Sequence, residues 1–158
     1  MRVEKIMTHV VTTCAPHDSL EHAASLMWNS DCGCLPVTTG DGGRQIAGII
    51  TDRDICMAAL FQGKALRELR VEDAMARKVL TCLASDEIED AQRQMQNEQI
   101  RRLPVLDNDG ALLGIVSMAD MVRASARSQF KEHQELAASD VMTTLAKIST
   151  PLARSLAA

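Results

Sequence analysis

Aromatic side chains are almost missing from this sequence. Trp28, Phe61 and Phe130 are the whole set, and there is no tyrosine. Single-stranded nucleic-acid binders stack bases on aromatic platforms, so that class is disfavoured at once. A basic excess is missing too: 17 Lys and Arg stand against 21 Asp and Glu, a formal charge of −4. A surface that tracks phosphates ordinarily shows the opposite balance. No apolar run approaches the ~18–20 residues that span a bilayer, so no membrane partner is expected. The opening Met1-Arg2-Val3-Glu4-Lys5 lacks the apolar region of a signal peptide. The expected location is the cytoplasm. The five cysteines (Cys14, Cys32, Cys34, Cys56, Cys82) are odd in number, and reduced thiols are the expectation.

What the chain does contain is itself, twice. A shift of 68 superposes Arg2-Val3-Glu4 on Arg70-Val71-Glu72, Met7 on Met75, Val11 on Val79, and Thr13-Cys14 on Thr81-Cys82. It also superposes Asp18, Glu21, Ala23, Met27 and Asn29 on Asp86, Glu89, Ala91, Met95 and Asn97, and Leu35-Pro36-Val37 on Leu103-Pro104-Val105. Those are 15 identities in the 36 positions from Arg2 to Val37. Chance would supply roughly two or three. After Leu-Pro-Val the shift becomes 66. Gly48-Ile49-Ile50-Thr51-Asp52-Arg53-Asp54 then faces Gly114-Ile115-Val116-Ser117-Met118-Ala119-Asp120.

Each half reads as β-α-β-β-α, an α/β (α+β) fold class. Val10 to Thr13 and Val79 to Cys82 are β-branched stretches that predict a first strand. Asp18 with Glu21, and Asp86 with Glu89, have the spacing of a helix capping pair. Leu20, Ala23, Ala24 and Met27 form the apolar stripe of the helix that follows, as do Ile88, Ala91 and Met95. The Leu-Pro-Val strand comes next. Gly40-Asp41-Gly42-Gly43 and Asp107-Asn108-Asp109-Gly110 are hairpin turns. A strand into Ile50 or Val116 follows, then a helix opened by the hydroxyl-x-x-Asp element. The expected division is repeat 1 at 1–60, a connector at 61–70, repeat 2 at 71–126 and a tail at 127–158. A half of about 60 residues buries too little surface alone, so the repeats are expected to pack with pseudo-two-fold symmetry. In the tail, Ser139-Asp140-Val141-Met142-Thr143 echoes the Lys5-Ile6-Met7-Thr8 entry. The tail is expected to hold a helix and to end in disorder, since Ala and Ser dominate its last residues.

Met-Thr at the entry (Met7-Thr8, with Met75 repeated in the second copy), Leu-Pro-Val in the middle and Gly-Ile-(Ile/Val)-(Thr/Ser)-x-x-Asp near the end, in this order in both halves, resemble a pair of cystathionine-β-synthase (CBS) domains, or Bateman module. Thr51-Asp52-Arg53-Asp54-Ile55 is similar to the form in small stand-alone bacterial members. The resemblance covers residues 1 to about 125. It implies a non-enzymatic regulatory module that binds an adenine nucleotide (AMP, ADP or ATP) between repeats and transmits a conformational signal, with no catalytic cofactor. It implies a homodimer as well, and leaves room for an unidentified regulated protein. The residue types fit: an Asp accepts from ribose hydroxyls, a Thr or Ser can donate to phosphate, a helix start offers backbone N–H groups, and Arg53 adds positive charge. The implied first site joins Thr51, Arg53 and Asp54 to Val79, Thr81, Ile100, Arg101 and Arg102. The implied second joins Ser117 and Asp120 to Val11, Thr13, Gly33 and Cys34. Three arginines favour the first for a phosphorylated ligand, its adenine lying between aliphatic side chains such as Val79 and Ile100.

Plainer readings stand beside these. Asp54 and Asp120 can serve only as helix caps, and Arg101 and Arg102 as surface residues. The module can act as a dimerisation scaffold that binds no nucleotide. Cys14, Cys32 and Cys34 leave open a redox or metal sensor, although Cys14 and Cys82 occupy equivalent positions, which suits a buried strand site. No Cys-x-x-Cys occurs, and His17 and His22 do not share a helix face, so no metal site is expected. No catalytic motif is present.

Overall fold

The computed structural model describes residues 1–39, 42, 44–128 and 136–150. The expectations for Gly40, Asp41 and Gly43, and for the chain from residue 151 on, lie outside them. Five helices and two small sheets are present among the described residues: α1 (Leu20–Asn29), β1 (Cys34–Thr39), β2 (Gln45–Thr51), α2 (Asp52–Gln62), β3 (Cys82–Leu83), α3 (Ile88–Glu98), β4 (Arg102–Leu106), β5 (Leu112–Ser117), α4 (Met118–Ser128) and α5 (Ala138–Ser149). β1 pairs antiparallel with β2, and the second sheet runs β3-β4-β5. The class is mixed α/β. No helix among the described residues is long and apolar enough to cross a membrane.

The chain forms two compact units. The first comprises residues 9–81 and 104–114; the second comprises 1–8, 82–103 and the described residues from 115 onward. Each unit takes an entry turn from one repeat and the helices from the other. In the first unit, the turn Val71–Asp73 is fastened by Val71 N–H to Asp18 carbonyl and by Leu20 N–H to Leu69 carbonyl, both 2.9 Å. In the second, the turn Val3–Lys5 is fastened by Val3 N–H to Asp86 carbonyl at 2.9 Å and by Ile88 N–H to Met1 carbonyl at 2.8 Å. The four partners correspond one to one under the 68-residue shift. Val3 and Val71 are both fully buried, so each turn is pinned by an apolar plug as well as by hydrogen bonds.

The first unit centres on Leu20, Leu35, Val37, Ile50 and Val71, all with no exposed surface. Alternation puts Leu35 and Val37 on the core side of β1, and Pro36 is also buried. Gly48 is required by a close approach. A Cβ there would lie 2.6 Å from Met75 Sδ and 3.0 Å from Ala76 carbonyl oxygen. This is where Ile49 and Ala76 exchange backbone hydrogen bonds of 3.0 and 2.9 Å.

Local structure departs from the sequence reading at two places. Residues 10–13 form no strand; Cys14 alone makes a parallel bridge to Val37, and Val10 is 92% exposed. With no partner along its length, β-branching by itself holds nothing there. Of the expected stretch Val79 to Cys82 in the second repeat, only Cys82 is in a strand, β3. Asp18 does not cap α1. Ser19 does, accepting from His22 N–H at 3.1 Å, while Asp18 accepts from Ala15 N–H at 2.7 Å one turn earlier. Asp86 likewise accepts from Leu83 N–H at 2.8 Å, and α3 has no side-chain cap. These carboxylates close the turn before the helix, the local backbone bonding that Asp favours. The tail holds the helix expected of it, and Asp140-Val141-Met142-Thr143 echoes the entry turn in sequence only. It lies inside α5, whose Val141, Thr144 and Ile148 are buried against α3 and α4.

Candidate functional site

The hydroxyl-x-x-Asp elements sit at two helix starts. Thr51 ends β2 and is the N-cap of α2. Its hydroxyl accepts from Asp54 N–H at 3.2 Å and donates to Asp54 Oδ2 at 2.7 Å; its N–H donates to the same oxygen at 2.9 Å. This reciprocal capping box fixes the carboxylate. Ser117 and Asp120 repeat it at α4: Ser117 N–H and Oγ donate to Asp120 Oδ2 at 2.8 and 2.6 Å, and Asp120 N–H donates to Ser117 Oγ at 3.3 Å. Capping is therefore a role both aspartates fill.

The second carboxylate oxygens differ. Asp120 Oδ1 accepts from Thr8 Oγ1 at 3.3 Å and from the Arg123 guanidinium, and Asp120 is 5% exposed. Asp54 is half-buried, and among the described residues its Oδ1 has no hydrogen-bond partner. The repeat explains the difference. Position 76 corresponds to Thr8 and holds Ala; position 57 corresponds to Arg123 and holds Met. The backbone frame is the same in both, since Thr8 bridges Ile115 as Ala76 bridges Ile49. Only the two donors are gone. Arg53, next to Asp54, is exposed and makes no ion pair among the described residues.

The N–H groups expected to stand free at α2 are taken. Asp52 N–H donates to Gly33 carbonyl at 3.2 Å, Arg53 N–H to Asp52 Oδ1 at 2.7 Å, and Asp54 N–H to Thr51. The Asp52 carboxylate thus fills the anion place at the helix start. At α4, Met118 N–H donates to Arg101 carbonyl at 3.0 Å, the counterpart of the Asp52–Gly33 bond.

The remaining expected site residues are placed as follows. Val79 and Thr81, half-buried, line a cavity of about 460 Å³ with Gln45, Ile46, Arg77, Leu106, Asp109 and Gly110; Thr51, Arg53 and Asp54 are not part of that lining. Ile100 and Arg102 are half-buried and Arg101 is exposed, at the approach to β4 in the second unit. Val11 and Thr13 are half-buried ahead of Cys14. Cys34 opens β1 directly opposite Thr51, and Gly33 precedes it. Ser117 and Asp120 belong to the second unit; Val11, Thr13, Gly33 and Cys34 belong to the first.

The thiols divide sharply. Cys14 and Cys82 are buried, and burial, with Asp18 or Asp86 nearby, pushes each thiol up to about 12. Such thiols stay protonated and unreactive. Cys56 is exposed. Among the described residues no group of three His, Cys, Asp or Glu side chains is placed to hold a metal ion. Two features lie beyond the sequence reading: the role of Thr8 and Arg123 in closing Asp120, and a groove beside Trp28. The signal for the first was present, as Ala76 and Met57 at the matching positions.

Comparison with known proteins agrees with this architecture. The CBS domain family matches twice, at residues 3–60 and 71–127. The CBS domain-containing protein YhcV of Bacillus subtilis is 34% identical over 119 residues, covering 75% of this chain and 81% of that protein. The crystal structure of CBSX2 in complex with AMP aligns at a TM-score of 0.69 with 27% identity, covering 81% of this chain and 98% of that one. The CBS domain pair of MJ0100, solved with 5′-methylthioadenosine and S-adenosyl-L-methionine, aligns at 0.67 with 27% identity, covering 78% and 94%. With a helix-capping Asp at matching places in two internal repeats, and a family match over most of its length, the chain belongs to the CBS domain family and carries two CBS domains in tandem.

Proposed function

We propose that this CBS pair is a non-catalytic regulatory module that binds an adenine nucleotide (AMP, ADP or ATP) at Asp54 and relays its presence as a conformational change. One observation carries the reading: Asp54 Oδ1 is a fixed, half-buried acceptor with no partner among the described residues. A ribose presents two hydroxyl donors on adjacent carbons, and a carboxylate held by its other oxygen is suited to receive them. Arg53, one residue away and without an ion pair among the described residues, supplies charge for phosphate. It also favours an anionic nucleotide over a sulfonium compound. With Asp52 on the helix start, the side chain of Arg53, rather than free backbone N–H groups, has to meet the phosphate. The AMP in CBSX2 and the adenosyl compounds in MJ0100 support the ligand class.

A thermal-shift series with AMP, ADP, ATP, NAD and S-adenosylmethionine tests this. A ligand at 100 times its Kd adds ~2.7 kcal/mol, roughly 5–10 °C in Tm for a chain of this size. AMP, ADP or ATP is expected to give the largest shift, and Asp54→Asn to remove it. If no adenosyl compound moves the melt, a scaffold without nucleotide takes its place.

A further inference from the structure

The second repeat ends α3 in a conformation that its sequence disfavours. Gln99 follows the helix with φ 52° and ψ 39°, in the left-handed region. Asp31 holds the corresponding place in the first repeat, also left-handed at φ 47°. Aspartate tolerates that conformation through its short polar side chain, an advantage glutamine lacks. Something else has to hold Gln99, and α5 supplies it. Gln99 Nε2 donates to the Thr150 carbonyl at 3.0 Å and reaches the Lys147 carbonyl at 3.5 Å, at the end of α5. These bonds serve both sides. They steady a strained backbone and meet carbonyls that a helix end leaves without donors. Gln99 Oε1 is buried and has no partner among the described residues, so the side chain is only half satisfied even with α5 docked.

The rest of the α5 seat is largely polar. Thr144, fully buried, accepts from Gln92 Nε2 and Gln96 Nε2 at 3.4 and 2.7 Å, and Lys147 Nζ donates to Gln96 Oε1 at 3.0 Å. Val141 and Ile148 are the only buried apolar residues within α5. A helix with so few buried apolar contacts opens at lower cost than the core. On the other side of Gln99, the N–H groups of Gln99 and Ile100 donate to the Met95 carbonyl, and the Arg101 carbonyl accepts from Met118 N–H at the start of α4 at 3.0 Å. We propose that α5 is a latch on the loop 99–102. Docked, it keeps Gln99 left-handed and fixes the backbone that carries Arg101 and Arg102. Undocked, it withdraws the acceptors from Gln99, and the loop relaxes. A ligand that orders this loop therefore favours docked α5, by the same coupling that lets α5 order the loop. That a nucleotide drives the latch rests on the regulatory reading above; the latch itself stands on the contacts of Gln99.

Hydrogen exchange read by mass spectrometry on the full chain tests this. Thr144→Ala loosens α5 at a position that makes no hydrogen bond to the loop. It is expected to speed exchange over Ala138–Ser149 about tenfold, and exchange at Gln99 and Ile100 with it. Lys147→Ala, which removes only the side-chain bond to Gln96, is expected to give the same paired effect at about two- to threefold. In a Gln99→Gly background, where the left-handed backbone needs no holding, both substitutions are expected to speed α5 alone. AMP, ADP and ATP are then added in turn to the unsubstituted chain. A nucleotide that raises the Tm is expected to slow exchange over α5 about fivefold or more. The proposal is overturned if exchange at Gln99 and Ile100 is unmoved in both α5 variants. It is also overturned if a nucleotide raises the Tm and leaves α5 exchange unslowed. If no nucleotide raises the Tm, the regulatory reading fails, and the two α5 variants alone decide the latch.

Discussion

The starts of α2 and α4 are one device in two states. Both use a hydroxyl-x-x-Asp capping box with nearly the same hydrogen bonds. At α4 the aspartate is closed by Thr8 and Arg123 and is almost fully buried. At α2 the corresponding residues are Ala76 and Met57, and one carboxylate oxygen is left over. The lesson is that the capping residue alone does not tell a structural aspartate from a binding one. Two neighbours decide it, one distant in sequence (Thr8 is 112 residues from Asp120) and one a helical turn along.

That contrast can be broken in order of expected effect. Asp120→Ala removes a cap and three further hydrogen bonds from a buried carboxylate, and urea unfolding should show a loss of roughly 2–4 kcal/mol. Asp54→Ala, with fewer bonds and more exposure, should cost only about 1 kcal/mol by the same measurement. Converting α2 to the closed state with Ala76→Thr and Met57→Arg should leave the fold intact. It should weaken nucleotide binding by about tenfold or more in calorimetry, because the added donors compete with ribose for Asp54. Opening α4 with Thr8→Ala should cost about 0.5–1 kcal/mol.

The smallest effect concerns the thiols. Ionisation of Cys14 and Cys82 is held off to about 12, whereas an unfolded thiol ionises near 8.5. Above that lower value the unfolded chain binds fewer protons than the native one, so stability falls as pH rises from about 8.5 towards 12. At pH 8, iodoacetamide should label Cys56 quickly, and Cys14 and Cys82 only as fast as the protein opens.

Much of this was legible in the residues. The doubling, the hairpin between β1 and β2, the buried Leu-Pro-Val positions and the box at Thr51 and Asp54 all follow from short-range chemistry. What failed were statements about competition between neighbours. Asp18 and Ser19 can both serve a helix start, and the serine sits one residue nearer. Asp52 can serve the N–H of Arg53, and so fills a place otherwise open to an anion. Residues 10–13 have strand-like side chains but no edge to pair with. In each case the partner, rather than the propensity, settled the outcome.

The entry turns bear on how the chain is made. Residues 1–8 are synthesised ahead of both repeats' helices, but Val3 bonds to Asp86 and Thr8 to Ile115. At ordinary synthesis rates about ten seconds separate the appearance of Thr8 from that of Ile115. Throughout that interval the apolar plug Val3 has no native pocket, while the second repeat's turn at Val71 finds Asp18 already in place. Residues 1–8 therefore leave the ribosome well before the residues that hold them in the fold.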